Sequence, residues 1–128
     1  MDPVADMLIK IKNAQKALHP EVSISYSDLK YEIAKVLERM GLVGKVEKKG
    51  KKVKKVLDIV LKYEDKQPLI TEVKKISKPG QRMYLGFQRI GRVGQGPGIV
   101  IVSTSKGIMT NKEAVKQRLG GEVICEVR

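Results

Sequence analysis

Residues 99–127 read IVIVSTSKGIMTNKEAVKQRLGGEVICEV, and this stretch decides the fold. Ile99–Val102 is a continuous β-branched apolar run, the mark of a buried strand. Ser103-Thr104-Ser105-Lys106-Gly107 leaves that strand as a polar loop. Thr110-Asn111-Lys112-Glu113 then has capping-box spacing, in which the Thr hydroxyl and the Glu carboxylate each accept a free backbone N–H of the other's residue. The helix so opened is predicted to run through Leu119, with Gly120 as its stop. Glu122–Val127 follows as a closing strand. A short capped helix between two strands makes this a β-rich unit.

Upstream of it, Gly86–Gly98 holds five glycines and one proline and reads as loop or irregular strand. Ile70–Ser77 and Gln81–Tyr84 are expected as strands about a turn at Lys78-Pro79-Gly80. The beginning of the chain has another pattern. Asp2-Pro3 suits a helix N-cap and first position, and Val4, Met7, Leu8, Ile11 and Leu18 recur at helical spacing until His19-Pro20. The outer face of that helix carries Lys10, Lys12, Asn13 and Lys16. Val22, Ile24 and Tyr26 alternate as in a strand. Ser27 is placed to cap a second helix bearing Leu29, Ile33, Val36, Leu37 and Met40, stopped by Gly41. Val43–Glu47 and Val53–Tyr63 pair around a lysine-rich turn at Gly50, and the polar stretch Glu64–Pro68 reads as a linker. The expected fold class is α+β: an N-terminal helix–strand–helix–hairpin subdomain at 1–66, and a mostly β C-terminal subdomain at 67–128 with one short helix.

The chain has 128 residues and a formal net charge of +12, from 26 Lys+Arg against 14 Asp+Glu. The charge is unevenly laid out. Residues 1–40 carry six bases and six acids, whereas Val73–Lys112 carries eight bases and no acid. A forty-residue window of one sign is more than solubility asks for, and a phosphate backbone is its natural counterpart. Lysines make up 20 of the 26 bases, which favours recognition of backbone and shape over bidentate reading of guanine edges. Cys125 is the sole cysteine and His19 the sole histidine, which excludes an intramolecular disulfide and an ordinary zinc site. No apolar run is long enough to span a bilayer, and the lysines spaced through the first helix argue against a secretory leader. A reducing, cytoplasmic setting is expected.

Several motifs bear on chemistry. Ser103, Thr104, Ser105 and Lys106 offer three hydroxyls and an ammonium, which can serve phosphate, 2′-OH and unpaired base edges, or simply build a turn. Gly107 would let a ligand approach the backbone. The same residues match Ser-x-x-Lys of acyl enzymes, but the companion elements of that site are missing. Gly94–Gly98 leads into a strand rather than a helix, which argues against a nucleotide-phosphate loop. Lys48, Lys49, Lys51, Lys52, Lys54 and Lys55 crowd one hairpin tip, suited to solvent or to nonspecific phosphate contact. Tyr84, between Arg82 and Arg89, is the best placed aromatic for stacking on a splayed base. Scattered acids give no general base or metal cluster. A basic DNA-binding regulator is the competing class, though the basic window falls on strands and loops rather than on a recognition helix.

The blocks Asp2–Asn13, Ile76–Gly80, Val102–Thr110 and Gly120–Cys125 closely resemble signature segments of bacterial small-subunit ribosomal protein number eight, in that family's order and spacing. The resemblance covers essentially the whole chain. It implies a two-part α+β protein without enzymatic activity or cofactor, working on the cytoplasmic ribosome. It further implies direct binding to the central domain of 16S rRNA, help in assembling the platform, and in some members repression of their own operon. The implied partners are that rRNA and neighbouring small-subunit proteins, the fifth and the twelfth. No membrane or small-molecule substrate is implied, and a monomer is expected before assembly. By position, the RNA-binding residues are Lys78, Arg82, Tyr84, Ser103, Thr104, Ser105, Lys106, Gly107, Gly120, Gly121 and Glu122. A secondary RNA contact is implied for Lys10, Lys12, Asn13 and Lys30. The glycine-rich stretch with Pro97 and the ending Cys125-Glu126-Val127-Arg128 depart from the family pattern.

Overall fold

A computed structural model describes residues 2–51, 53–93 and 98–128. The unusual Gly94–Pro97 stretch lies outside them. The chain divides into two compact units, residues 3–71 and residues 72–128, the latter with Asp2.

The first unit runs α1 (Pro3–Lys16), β1 (Glu21–Ser25), α2 (Asp28–Arg39), β2 (Val46–Lys49), β3 (Val56–Val60), β4 (Tyr63–Glu64) and β5 (Gln67–Pro68). Its antiparallel sheet has the order β1-β3-β2. Alternation puts Ile24, Val46, Leu57 and Ile59 on the buried face, and the helices add Met7, Leu8, Ile11, Ile33 and Leu37 to the core. Each such side chain contributes about 1.5–3 kcal/mol by leaving water. Ser27 caps α2 by accepting from the Lys30 N–H, and Gly41 follows the helix at φ 76°. The fully buried Gln15 donates to the Leu42 carbonyl at 3.1 Å and accepts from the Ile70 N–H at 3.0 Å. That amide ties residue 70 into the first unit.

Residues 64–68 are not a linker. They form the turn and return strand of a hairpin, with Tyr63 opposite Pro68 and with Asp65 and Lys66 at φ 51° and 62°. Such a turn is usually announced by a glycine at its second position, where Lys66 stands here, so its signal was absent.

The second unit runs β6 (Val73–Lys75), β7 (Tyr84–Leu85), α3 (Phe87–Ile90), β8 (Ile99–Thr104), β9 (Gly107–Thr110), α4 (Asn111–Lys116) and β10 (Gly121–Val127). The sheet order is β6-β10-β8-β9, with β7 also pairing β10. β8 therefore lies along one edge of β10, while β6 and β7 share the other. Ile90, Val100, Val102, Met109, Ala114 and Val123 form the core. Both bonds of the Thr110/Glu113 capping box are present.

Four local expectations need correction. The strand expected over 70–77 is regular only at Val73–Lys75. Glu72 exchanges backbone hydrogen bonds with Arg128 before it, the Ile76 and Ser77 N–H groups share the Ile124 carbonyl after it, and the Ile70 N–H turns away to Gln15. The strand expected over 81–84 is a Lys78–Gln81 bridge followed by β7. Within the expected loop, Phe87–Ile90 makes one helical turn, driven by burial of Ile90. Finally, α4 ends at Lys116 because Arg118 turns left-handed at φ 56°, letting the Leu119 N–H reach the Ala114 carbonyl at 2.8 Å.

Candidate RNA interface

Residues 107–110 form β9, so Ser103–Gly107 is the tip of a β-hairpin rather than a loop entering a helix. Thr104 pairs with Gly107, and Ser105-Lys106 make the turn. Gly107 takes φ 111°, the positive value that such a turn needs to rejoin a twisted strand. The Thr104 hydroxyl donates to the Gly107 carbonyl at 2.8 Å and accepts from the Lys106 N–H at 3.1 Å. It is therefore a turn-building group. Among the described residues, the hydroxyls of Ser103 and Ser105 have no such partner.

Strand register assembles the neighbours. Glu122 stands opposite Ser103 on one side and Tyr84 on the other. Directly opposed residues share a face, so Tyr84, Glu122 and Ser103 form a row across three strands. Tyr84 is 68% exposed. Glu122 is anchored: its carboxylate accepts from the buried Ser77 hydroxyl at 2.6 Å and from Arg82 at 3.3 Å. Ser77 also accepts the Met83 N–H at 3.0 Å, so this one serine fixes both the carboxylate and the backbone leading to Tyr84. Sequence reading gave Ser77 no role, because its partner lies 45 residues away. Next to the row, Lys74, Lys78, Arg82, Met83 and Tyr84 help line an open cleft of about 610 Å³.

Gly120 and Gly121 make the strands' close approach possible. A Cβ on Gly121 would overlap the Ser103 carbonyl oxygen, and one on Gly120 would stand 2.7 Å from the Leu85 carbonyl oxygen. Lys78 and Lys106 are exposed at the two turns. Thus the residues expected from sequence in this unit gather at one end of its sheet, and they divide by task. Ser103, Ser105, Tyr84, Lys78, Arg82 and Lys106 offer groups outward, while Thr104, Gly107, Gly120, Gly121 and Glu122 build the frame.

The four residues expected in the first unit do not form one array. Asn13 is exposed beside a groove of about 440 Å³, where Ile9, Lys10, His19 and Val22 are also found. Lys12 is two positions from Lys10, a rotation of about 200° around a helix, and falls on another face. β1 is an edge strand, and the Lys10 ammonium donates to its Ser23 carbonyl at 2.9 Å. Lys30 donates to the Ser25 carbonyl at 3.3 Å and hydroxyl at 2.9 Å. These two lysines cover a strand edge that would otherwise be open to pairing.

Cys125 is buried in the second unit, and burial pushes its thiol up to about 12, far from a reactive thiolate. Among the described residues no group of three or more His, Cys, Asp or Glu side chains could hold a metal. No helix there is long and apolar enough to cross a membrane.

Comparison with known proteins bears on this geometry. The profile of the family described as Ribosomal protein S8 matches residues 2–128. The chain belongs to the ribosomal protein S8 family. Its relatives named small ribosomal subunit protein uS8 include one from Dictyoglomus turgidum, 49% identical over 126 residues, covering 98% of this chain and 96% of the relative. Another, from Trichormus variabilis, is 47% identical over 128 residues with the same coverage. A third, from Vesicomyosocius okutanii, is 45% identical over 126 residues, again at 98% and 96%. As an S8-family member the chain is a structural component of the small ribosomal subunit, works in the cytoplasm, and is not an enzyme. The family replaces the DNA-regulator reading, and the four blocks that carry the resemblance in sequence fall on α1, on the Ser77 turn, on the β8–β9 hairpin and at the start of β10.

Proposed function

We propose that this S8-family protein binds the central domain of 16S rRNA directly, through the β7–β10–β8 end of its second unit, and so helps assemble the platform. The observation that carries the reading is the pair of unpartnered hydroxyls, Ser103 and Ser105, at a rigid hairpin end beside the exposed Tyr84. Hydroxyls held by paired strands can meet 2′-OH groups and base edges at fixed geometry. Tyr84 supplies a stacking face, and Lys78, Arg82 and Lys106 supply charge for phosphates. Thr104, Gly107, Gly120, Gly121 and Glu122 act through the frame they build. Lys10, Lys12, Asn13 and Lys30 are read as a weaker, mainly electrostatic secondary contact. The fifth and twelfth small-subunit proteins are the proposed protein neighbours. An operon mRNA folded like the rRNA site would be held by the same face, giving autorepression.

The test is a filter titration of the isolated protein against a central-domain rRNA fragment across a salt series. With about 4–6 phosphates engaged, the log–log slope is expected at roughly −3 to −5. A flat salt response, or equal affinity for a scrambled fragment, would overturn the reading. Competition by the operon leader mRNA tests the regulatory extension.

A further inference from the structure

The first unit contains a cluster that the rRNA face does not use. Inner-face alternation continues past the cover of the helices: after Ile24, Val46 and Leu57 come Tyr26, Lys48 and Lys55 on the same sides of their strands. At such a rim the chain needs side chains with an apolar body and a polar tip, which Tyr and Lys provide. Tyr31, from the first turns of α2, completes the group, its ring centroid 6.2 Å from that of Tyr26. The Lys48 ammonium stands 4.3 Å from the Tyr31 centroid and 5.5 Å from that of Tyr26. The Lys55 ammonium stands 5.3 Å from the Tyr26 centroid.

These two lysines differ from their neighbours. Lys49 pairs with Asp58 at 3.1 Å, Lys45 with Glu47 at 2.9 Å, and Lys35, though its ammonium also stands 5.9 Å from the Tyr31 centroid, with Glu38 at 2.7 Å. Asp28, beside the cluster, accepts the Tyr26 hydroxyl at 2.6 Å. Among the described residues, Lys48 and Lys55 face no carboxylate within ion-pair reach, and aromatic rings hold them instead. A cation over an aromatic face keeps its full charge and most of its donors toward solvent. Both side chains are exposed.

We propose that Lys48 and Lys55, steadied on Tyr26 and Tyr31, form a separate phosphate-binding station that grips an RNA backbone without reading its sequence. The occupant is a phosphodiester backbone rather than a base, because the lysines already sit over the ring faces. The proposal rests on the rRNA-binding reading above, but its residues are distinct from those of the second unit.

The test uses the full chain carrying Lys48→Gln and Lys55→Gln together, against small-subunit rRNA and a scrambled RNA of equal length. Both affinities should fall by the same factor, about three- to tenfold at low salt, and the log–log salt slope should flatten by about 1–2. The Lys48→Arg, Lys55→Arg variant should restore the slope, and also covers failure of the glutamine variant to fold. An unchanged slope, or an arginine variant that binds like the glutamine one, overturns the station. If the unaltered protein fails to prefer its rRNA, the reading of the second unit fails instead, which is a separate outcome.

Discussion

The two long hairpins of this molecule offer opposite chemistry to a polyanion. From Lys48 to Lys55, across the end of β2 and the turn into β3, six of eight residues are lysine, and Val53 among them is 94% exposed. From Ser103 to Lys106, across the end of β8 and the turn into β9, there are three hydroxyls and one lysine. Charge acts over a Debye length, about 10 Å at 0.1 M salt, and tolerates a mobile carrier. A hydroxyl acts only in contact and needs its position fixed. The scaffolds follow that difference. β8 is paired on both sides, by β9 and β10, whereas β2 is an edge strand. On the proposed reading, attraction and recognition are separable, and each should be removable without the other.

The largest effect is expected where the recognising frame is closest packed. Gly121→Ala drives a methyl into the Ser103 carbonyl, so β8 and β10 must part. Overpacking of this kind costs about 1–3 kcal/mol of stability. rRNA affinity should fall further than Ser105→Ala alone lowers it, since Ser103 and Tyr84 lose register together. Calorimetry and filter binding of the same variant check both statements.

Ser105→Ala should weaken cognate rRNA by about 1–3 kcal/mol, the cost of leaving an RNA partner group unpaired in a dry contact. Thermal stability should hold, because the turn is closed by Thr104 and Gly107 rather than by Ser105. Lys51→Gln with Lys54→Gln, at the other hairpin, should lower affinity for all RNAs by a common, smaller factor. If the lysine variant instead abolished preference for cognate RNA, the contrast between the hairpins would collapse.

Acid sharpens the comparison from the stability side. In the first unit, the Lys35 ammonium and then the Val46 N–H hold Glu38 below the usual carboxylate range. Lys45 does the same for Glu47, and the Ser23 hydroxyl followed by Lys49 for Asp58. Carboxyls lowered on folding stabilise above their unfolded pKa, and that contribution is lost as pH falls through their folded values. Melting temperature should therefore decline below about pH 4. Replacing all three acids by their amides should flatten the decline, while a decline of unchanged steepness would remove these pairs from the account.

The smallest effect is expected at the end of α4. Arg118 holds a left-handed conformation at φ 56°, so Arg118→Gly should gain roughly 0.5–1 kcal/mol. Thermal unfolding reads the gain directly.

Much of this was legible in the sequence where one local pattern sufficed. Ser27 and the Thr110/Glu113 box announced two helices, and Ile99–Val102 announced the central β8. What was not legible depended on partners far along the chain. β9 was hidden because Gly107-Ile108-Met109 is too short to alternate visibly, and only pairing with β8 makes it a strand. α3 is a single turn, held by the burial of Ile90 in a core it helps to make. Of the interface, the hydroxyl cluster was visible in sequence. The separation of Thr104 from its neighbours was not, since that depends on a hydrogen bond to Gly107. Nor was the anchoring of Glu122 by Ser77, or the use of Lys10 and Lys30 on the β1 edge.

The separation of recognition from attraction is tested most directly by one set of salt titrations. The unaltered protein, Ser105→Ala and the Lys51→Gln, Lys54→Gln variant are each titrated with cognate and scrambled rRNA fragments from low to physiological salt. Ser105→Ala should lose affinity for the cognate fragment only, at an unchanged slope. The lysine variant should lose affinity for both fragments and show a flatter slope. A serine variant with unchanged cognate affinity, or a lysine variant that loses only cognate preference, would contradict the account.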